Sequence, residues 1–153
     1  MISRLVEVLQ PLSARADQLG SMALFDGFRW TDLEELAANL DEVRVPRGTR
    51  MTVQGRMDNR FWLIVDGEAL VSADARPLRV AGHGDPVGLS GVIYGIRSPE
   101  TTIALAPIRP LTAGPHQFQE LIAAHSLRRR LTALAGDHLR HRRPWTHRTG
   151  RDR

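Results

Sequence analysis

The sequence predicts an α+β domain, mainly β: a β-roll or jelly roll flanked by N-terminal helices and a long C-terminal helix. Three observations predict it. Apolar residues recur with helical spacing before residue 41. They alternate with polar residues in short runs between 41 and 113. Helical spacing then returns at Pro115. Short strands separated by turn residues and bracketed by helices are the pattern of a closed or sandwiched sheet with helices outside it.

The elements follow in chain order. Ile2, Leu5, Val6, Val8, Leu9, Leu12 and Leu19 suit an amphipathic helix that Pro11 breaks or bends. "WTDLEELAANL" predicts a short helix, with Thr31 as N-cap and Glu34 completing a capping box. "DEVRVPRGTRMTVQG" has period two on both sides of a "PRG" turn. "NRFWLIVDGEALVSA" reads as a hairpin turning at Asp66-Gly67. Leu78 to Val80 is a further short strand, and "TTIALAPIRPLTA" holds two more around Pro107 to Pro110. Pro115 suits a first helical position. Phe118, Leu121, Ile122, Leu127, Leu131, Leu134 and Leu139 then mark one long helix to about residue 141, stopped by Pro144.

Composition narrows the function classes. A chain of 153 residues, 42% hydrophobic and 25% charged, suits one soluble domain with a real core. With no cysteine, disulfides, thiol catalysis and cysteine-ligated zinc are excluded, and a reducing cytoplasm is the expected location. No apolar run of about 18 residues is present to span a membrane, and the N-terminus lacks the apolar core of a signal peptide. All 21 basic residues are arginine, as a GC-rich bacterial genome would favour. Residues 128–153 hold nine arginines against two aspartates and carry +7, while the other 127 residues carry −3. The divisions expected are an N-terminal helical segment at 1–23, the main domain at 24–141 and a basic, disordered tail at 142–153.

The most informative stretch is "GDPVGLSGVIYGIRSPETTIAL", residues 84–105. Its glycine density frees backbone N–H groups to approach a ligand, often an anion. Gly88, Leu89, Ser90, Gly91, Arg97, Ser98 and Thr101 are the candidate ligand-binding residues, with Thr102 a further possible hydroxyl donor. Glu100 would oppose an anion there and is expected to be an exposed loop residue.

In this order, "LFDGFRWTDLEELAANL", "VPRGTRMTVQGRMDNRFWLIVDGEALV", "VAGHGDPVGLSGVIYG" and "FQELIAAHSLRRRLTAL" resemble the cyclic-nucleotide-binding domain of the catabolite-activator and fumarate-nitrate-regulator superfamily, over residues 24–140. The third segment resembles its phosphate-binding cassette. In ligand-binding members, backbone N–H groups at a short helix face the cyclic phosphate. A glutamate after the glycine takes the ribose hydroxyl, and an arginine ten residues after that glycine pairs with the phosphate.

This chain departs from that pattern at both selective positions. Leu89 follows Gly88, and Ser98 stands ten residues on. Arg97 is one place early: it is either a phosphate ligand through a shifted register or a solvated loop arginine. "GLSGVIYG" also resembles a branch whose cassette reads glycine, leucine, serine, alanine and lacks the same pair. Two lost charge-assisted contacts, each worth about 1.5–3 kcal/mol, remove roughly two to four decades of affinity. The resemblance therefore implies a non-catalytic regulatory or sensor module, with weak or no binding of cyclic AMP, acting through protein contacts. A cyclic nucleotide is a disfavoured cofactor, and no other is expected. The alternatives are a true sensor of a small anion and a nucleic-acid-associated regulator using the arginine tail.

The remaining signals are weaker. No catalytic set is present, and no metal site: His138 and His141, spaced i, i+3, lack a third ligand and read as a solvated basic face. His83 reads as part of a surface turn, Trp62 as core and Trp145 as a tail residue able to stack on a partner. Leu127, Leu131 and Leu134 repeat at heptad-like spacing and make the candidate homodimer seam, which Gly136 weakens; the alternative is packing on the chain's own roll. The resembled regulators continue into a helix-turn-helix domain of about 60–70 residues, and "RRPWTHRTGRDR" cannot supply its recognition helix.

Overall fold

Alternation of apolar and polar residues gives strands an inward face, and in a computed structural model two four-stranded antiparallel sheets form. The structure describes residues 12–57, 59–123 and 125–148. Helices α1 (Leu12–Gly20) and α2 (Trp30–Ala38) precede the strands. The strands are β1 (Asp41–Glu42), β2 (Arg50–Thr52), β3 (Phe61–Asp66), β4 (Ala69–Ala73), β5 (Arg76–Ala81) and β6 (Pro86–Val87), then β7 (Thr101–Ala104) and β8 (Arg109–Ala113). Helix α3 (Leu89–Tyr94) lies between β6 and β7, and α4 (Pro115–Leu121) and α5 (His125–Arg148) follow β8. The sheet orders are β1-β8-β3-β6 and β2-β7-β4-β5.

Two apolar clusters hold these layers together. Phe61, Leu63, Leu111 and Ala113 on one face of the first sheet pack against Leu19, Phe25, Leu36, Phe118, Leu127 and Leu131 from the helical side. Ile64, Val71, Ala81, Val87, Ala104 and Ile108 form the second cluster, with Trp62 packed against it. Strand β3 therefore serves both cores, which explains its unbroken apolar run "FWLIV".

Several expectations change. Asp66-Gly67 is not a hairpin, because β3 and β4 belong to different sheets. The chain crosses between sheets there, and a Cβ on Gly67 would lie 2.9 Å from the Pro107 carbonyl oxygen. The glycine is required by this close approach of two backbones, not by a two-residue turn. The tight hairpin joins β4 to β5 at Asp74-Ala75, whose φ angles are +53° and +60°. Both signs suit a right-twisted hairpin. Gln54 clamps it: its Nε2 donates to Asp74 Oδ1 at 2.8 Å, and its Oε1 accepts from the Asp74 N–H at 2.8 Å.

Helix α2 starts at Trp30, one residue before the expected cap. The carboxylate that answers the helix start is Asp32, which accepts from the Arg29 N–H at 3.2 Å, rather than Glu34. The expected single helix from residue 115 is two, because α4 ends at Leu121 and α5 begins at His125. On one straight helix Leu127 would stand about 240° from Leu121, yet both are buried in the same cluster. The break brings them together. Pro144 does not stop this helix: it falls inside α5, which runs to Arg148. Residues 1–11, with the first half of the expected N-terminal helix, and 149–153 lie outside the described residues.

Candidate functional site

Gly88 caps α3 in the left-handed region, at φ +78° and ψ +15°. A Cβ there would stand 2.6 Å from the Arg60 carbonyl oxygen and 3.5 Å from Thr52 Cγ2. Conformation and space both demand glycine. The segment is packed tightly against the Arg60 carbonyl and Thr52. Within α3, Leu89, Ser90 and Gly91 are buried.

The structure brings the candidate residues into one neighbourhood but gives most of them internal partners. Leu89 is 2% exposed and belongs to the helix-side core with Phe61 and Leu127. Arg97 is exposed and donates from Nη1 to the Gly55 carbonyl at 3.1 Å. The Ser98 hydroxyl donates to the Glu100 carbonyl at 2.6 Å and accepts from the Glu100 N–H at 3.3 Å. Backbone bonds of 2.8 Å, Ser98 N–H to the Arg56 carbonyl and Gly55 N–H to the Ser98 carbonyl, fasten this loop to the 54–57 turn. Thr101 Oγ1 accepts from the Gln54 N–H at 2.9 Å, and Thr102 Oγ1 lies 3.0 Å from Thr52 Oγ1. Ser90 Oγ stays buried without a hydrogen-bond partner among the described residues, as does Trp62 Nε1.

Glu100 is not an exposed loop carboxylate. Its two oxygens receive Arg79 Nη1 at 2.7 Å and Nη2 at 3.1 Å, and its side chain is 12% exposed. Arg79 pairs across β4 and β5 with Val71, and Val71 pairs across β4 and β7 with Thr102. Directly paired residues share a face, so Arg79 leaves the sheet on the inner side with the buried Val71 and Thr102. Its Nη2 also lies 3.3 Å from His138 Nδ1 on α5. A guanidinium can only donate, so this nitrogen of His138 is the bare acceptor of a neutral ring. Burial, and then the Arg79 charge, hold the His138 pKa below its ordinary value, against the opposing pull of Glu100, Asp85 and Asp137.

The reading of His138 as part of a solvated face therefore changes: the ring is half-buried on the roll. The side chain of His141 lies outside the described residues. The leucine seam also changes. Leu127 and Leu131 are 2% and 1% exposed within this chain alone, and Leu134 is half-buried against the same cluster. The stripe is spent on the chain's own core, where the break after α4 turns it inward. Arg79 and its pairing were missed because an arginine in an alternating strand reads as solvent-facing. The one usable signal was that Arg79 shares strand parity with Ala81, an inner-face residue.

No family model matches the sequence, and no curated protein matches it. Solved structures do. The regulatory domain of PKA from Toxoplasma gondii, crystallised with cAMP, is 18% identical with a TM-score of 0.74, covering 82% of this chain and 50% of that one. The regulatory subunit of a cAMP-independent protein kinase A from Trypanosoma brucei is 15% identical with a TM-score of 0.71, covering 82% and 48%. The catabolite activator protein of Thermus thermophilus is 19% identical with a TM-score of 0.69, covering 76% and 58%. The chain thus spans about half the length of these three structures. Two antiparallel sheets bracketed by helices, with a glycine-capped short helix between β6 and β7, give this chain the fold of the cyclic-nucleotide-binding domains.

Proposed function

We propose that this chain is a non-catalytic regulatory module in which the cyclic-nucleotide-binding fold is kept but cyclic AMP binds weakly or not at all, and which acts through protein partners. The observation that carries this reading is Leu89. The position where the resembled domains place a ribose-binding glutamate holds an apolar side chain, 2% exposed and packed in the helix-side core. Ser98 and Arg97, the two residues nearest the expected phosphate arginine, are engaged with backbone groups of Glu100 and Gly55. The neighbour from Trypanosoma brucei, described as cAMP-independent, is in keeping with a fold that outlasts the nucleotide.

Calorimetric titration of cyclic AMP at near-physiological salt tests the reading. The expected result is no saturation below about 10 μM, the concentration that corresponds to roughly −7 kcal/mol; tighter binding overturns it. Leu89→Glu combined with Ser98→Arg is not expected to restore binding, because the carboxylate would enter the apolar cluster. That variant should lose about 3 kcal/mol or more of stability in denaturant titration.

A second reading is a sensor of another small anion. Arg79 on the inner face, here held by Glu100, together with the Ser90 hydroxyl, which has no hydrogen-bond partner among the described residues, supports it. Titration with a panel of carboxylates and phosphates separates the two readings.

A further inference from the structure

Helix α5 touches the rest of the chain in two different ways. Up to Ala135 it is anchored by apolar burial: Leu127, Leu131 and Ala135 are 2%, 1% and 0% exposed. Arg130 adds a hydrogen bond from Nη1 to the Leu24 carbonyl at 2.7 Å. Beyond Gly136, His138 reaches the roll, its Nδ1 meeting Arg79 while Arg79 is held by Glu100, and Leu139 is half-buried. Gly136, the poorest helix former short of proline, separates the two regions.

We propose that His138, Arg79 and Glu100 form a proton-operated latch: with His138 neutral, the part of α5 beyond Gly136 is held on the roll, and protonation of His138 releases it. The chemistry is one of donors and acceptors. Neutral His138 offers Nδ1 as an acceptor to an Arg79 N–H. Once protonated, it presents an N–H to an N–H, and one cation to another. Glu100, whose two oxygens both receive Arg79, favours the charged ring and relieves this only in part. Asp85 and Asp137 favour the charged ring, but burial and Arg79 prevail.

The sign follows from linkage. His138 titrates lower when docked than when free. The latch is therefore at full strength above about pH 6.5, the ordinary histidine value. It weakens as pH falls below that and weakens no further once the docked ring is itself protonated. Within this window each pH unit favours release by up to about tenfold. The switch goes beyond the proposed function and does not depend on what occupies the cassette.

Amide hydrogen exchange of the full chain, corrected to intrinsic rates, tests the proposal at pH 7.5 and 5.0. Protection over residues 136–140 should fall several-fold at pH 5.0 while protection in β3 and β8 holds. His138→Gln, whose amide oxygen still accepts from Arg79 but does not titrate, should keep that protection at both pH values. Equal protection of the wild type at both pH values overturns the latch, and so does a wild-type-sized loss in His138→Gln. An equal fall in β3 overturns it too, since the helix would then not be releasing locally.

Discussion

Glu100 grips Arg79 with both carboxylate oxygens across the width of strand β4, joining the loop after α3 to the edge strand β5. The guanidinium is 29% exposed and the carboxylate 12%, so water screens the pair only in part. Removing one partner strands the other charge on the inner face. Glu100→Gln should therefore cost about 1–2 kcal/mol, less than a fully buried pair because of that residual exposure. Arg79→Met together with Glu100→Gln should cost less than the sum of the two single changes. Chemical denaturation of the four proteins in the cycle checks both statements.

Leu131 distinguishes an internal stripe from a dimer seam. A charged residue there would enter a site 1% exposed among Phe25, Phe118 and Leu127. Leu131→Asp should unfold much of the chain, losing more than about 3 kcal/mol. A dimer seam would instead yield a folded monomer. Circular dichroism with light scattering separates these outcomes: lost helix and sheet signal is expected, and a well-folded monomer contradicts the assignment.

Ala75 is a stabilisation target. It holds φ +60° in the hairpin between β4 and β5, where an L-residue with a Cβ is strained by about 1 kcal/mol. Glycine there adopts the left-handed region without that strain, though it also adds freedom to the unfolded chain. Ala75→Gly should raise stability by about 0.5 kcal/mol, seen as a higher denaturation midpoint. Gly67→Ala should do the opposite by a wide margin, because its new Cβ meets the Pro107 carbonyl.

Local patterns in the sequence carried the architecture, because strand alternation and the helical period are short-range signals. They failed where partners lie far apart in the chain. "DG" at 66–67 has the composition of a hairpin, but which sheet β4 joins is decided by residues 101–104. The 3–4 spacing of Leu127, Leu131 and Leu134 is the same for a seam and for a stripe turned onto the chain's own core. Only the break after α4 decides between them. At the candidate site, the glycine cap at Gly88 was legible because its conformation is a local demand. Pairing of Arg79 with Glu100 and His138 joins residues 21 and 59 positions apart, and no linear spacing announces it.

Strand β3 has a mechanical consequence. It works as a party wall: Phe61 and Leu63 bear on the helices, while Ile64 and Trp62 bear on the space between the sheets. Close-packed interiors have little slack to absorb a shift on one side. Movement of α5 against Phe61 and Leu63 is thus felt on the far face of the same strand. Through the pairing of Trp62 with Val87, it also reaches the residue immediately before Gly88. Helix layer and roll interior form one transmission line, with β3 as its stiff element.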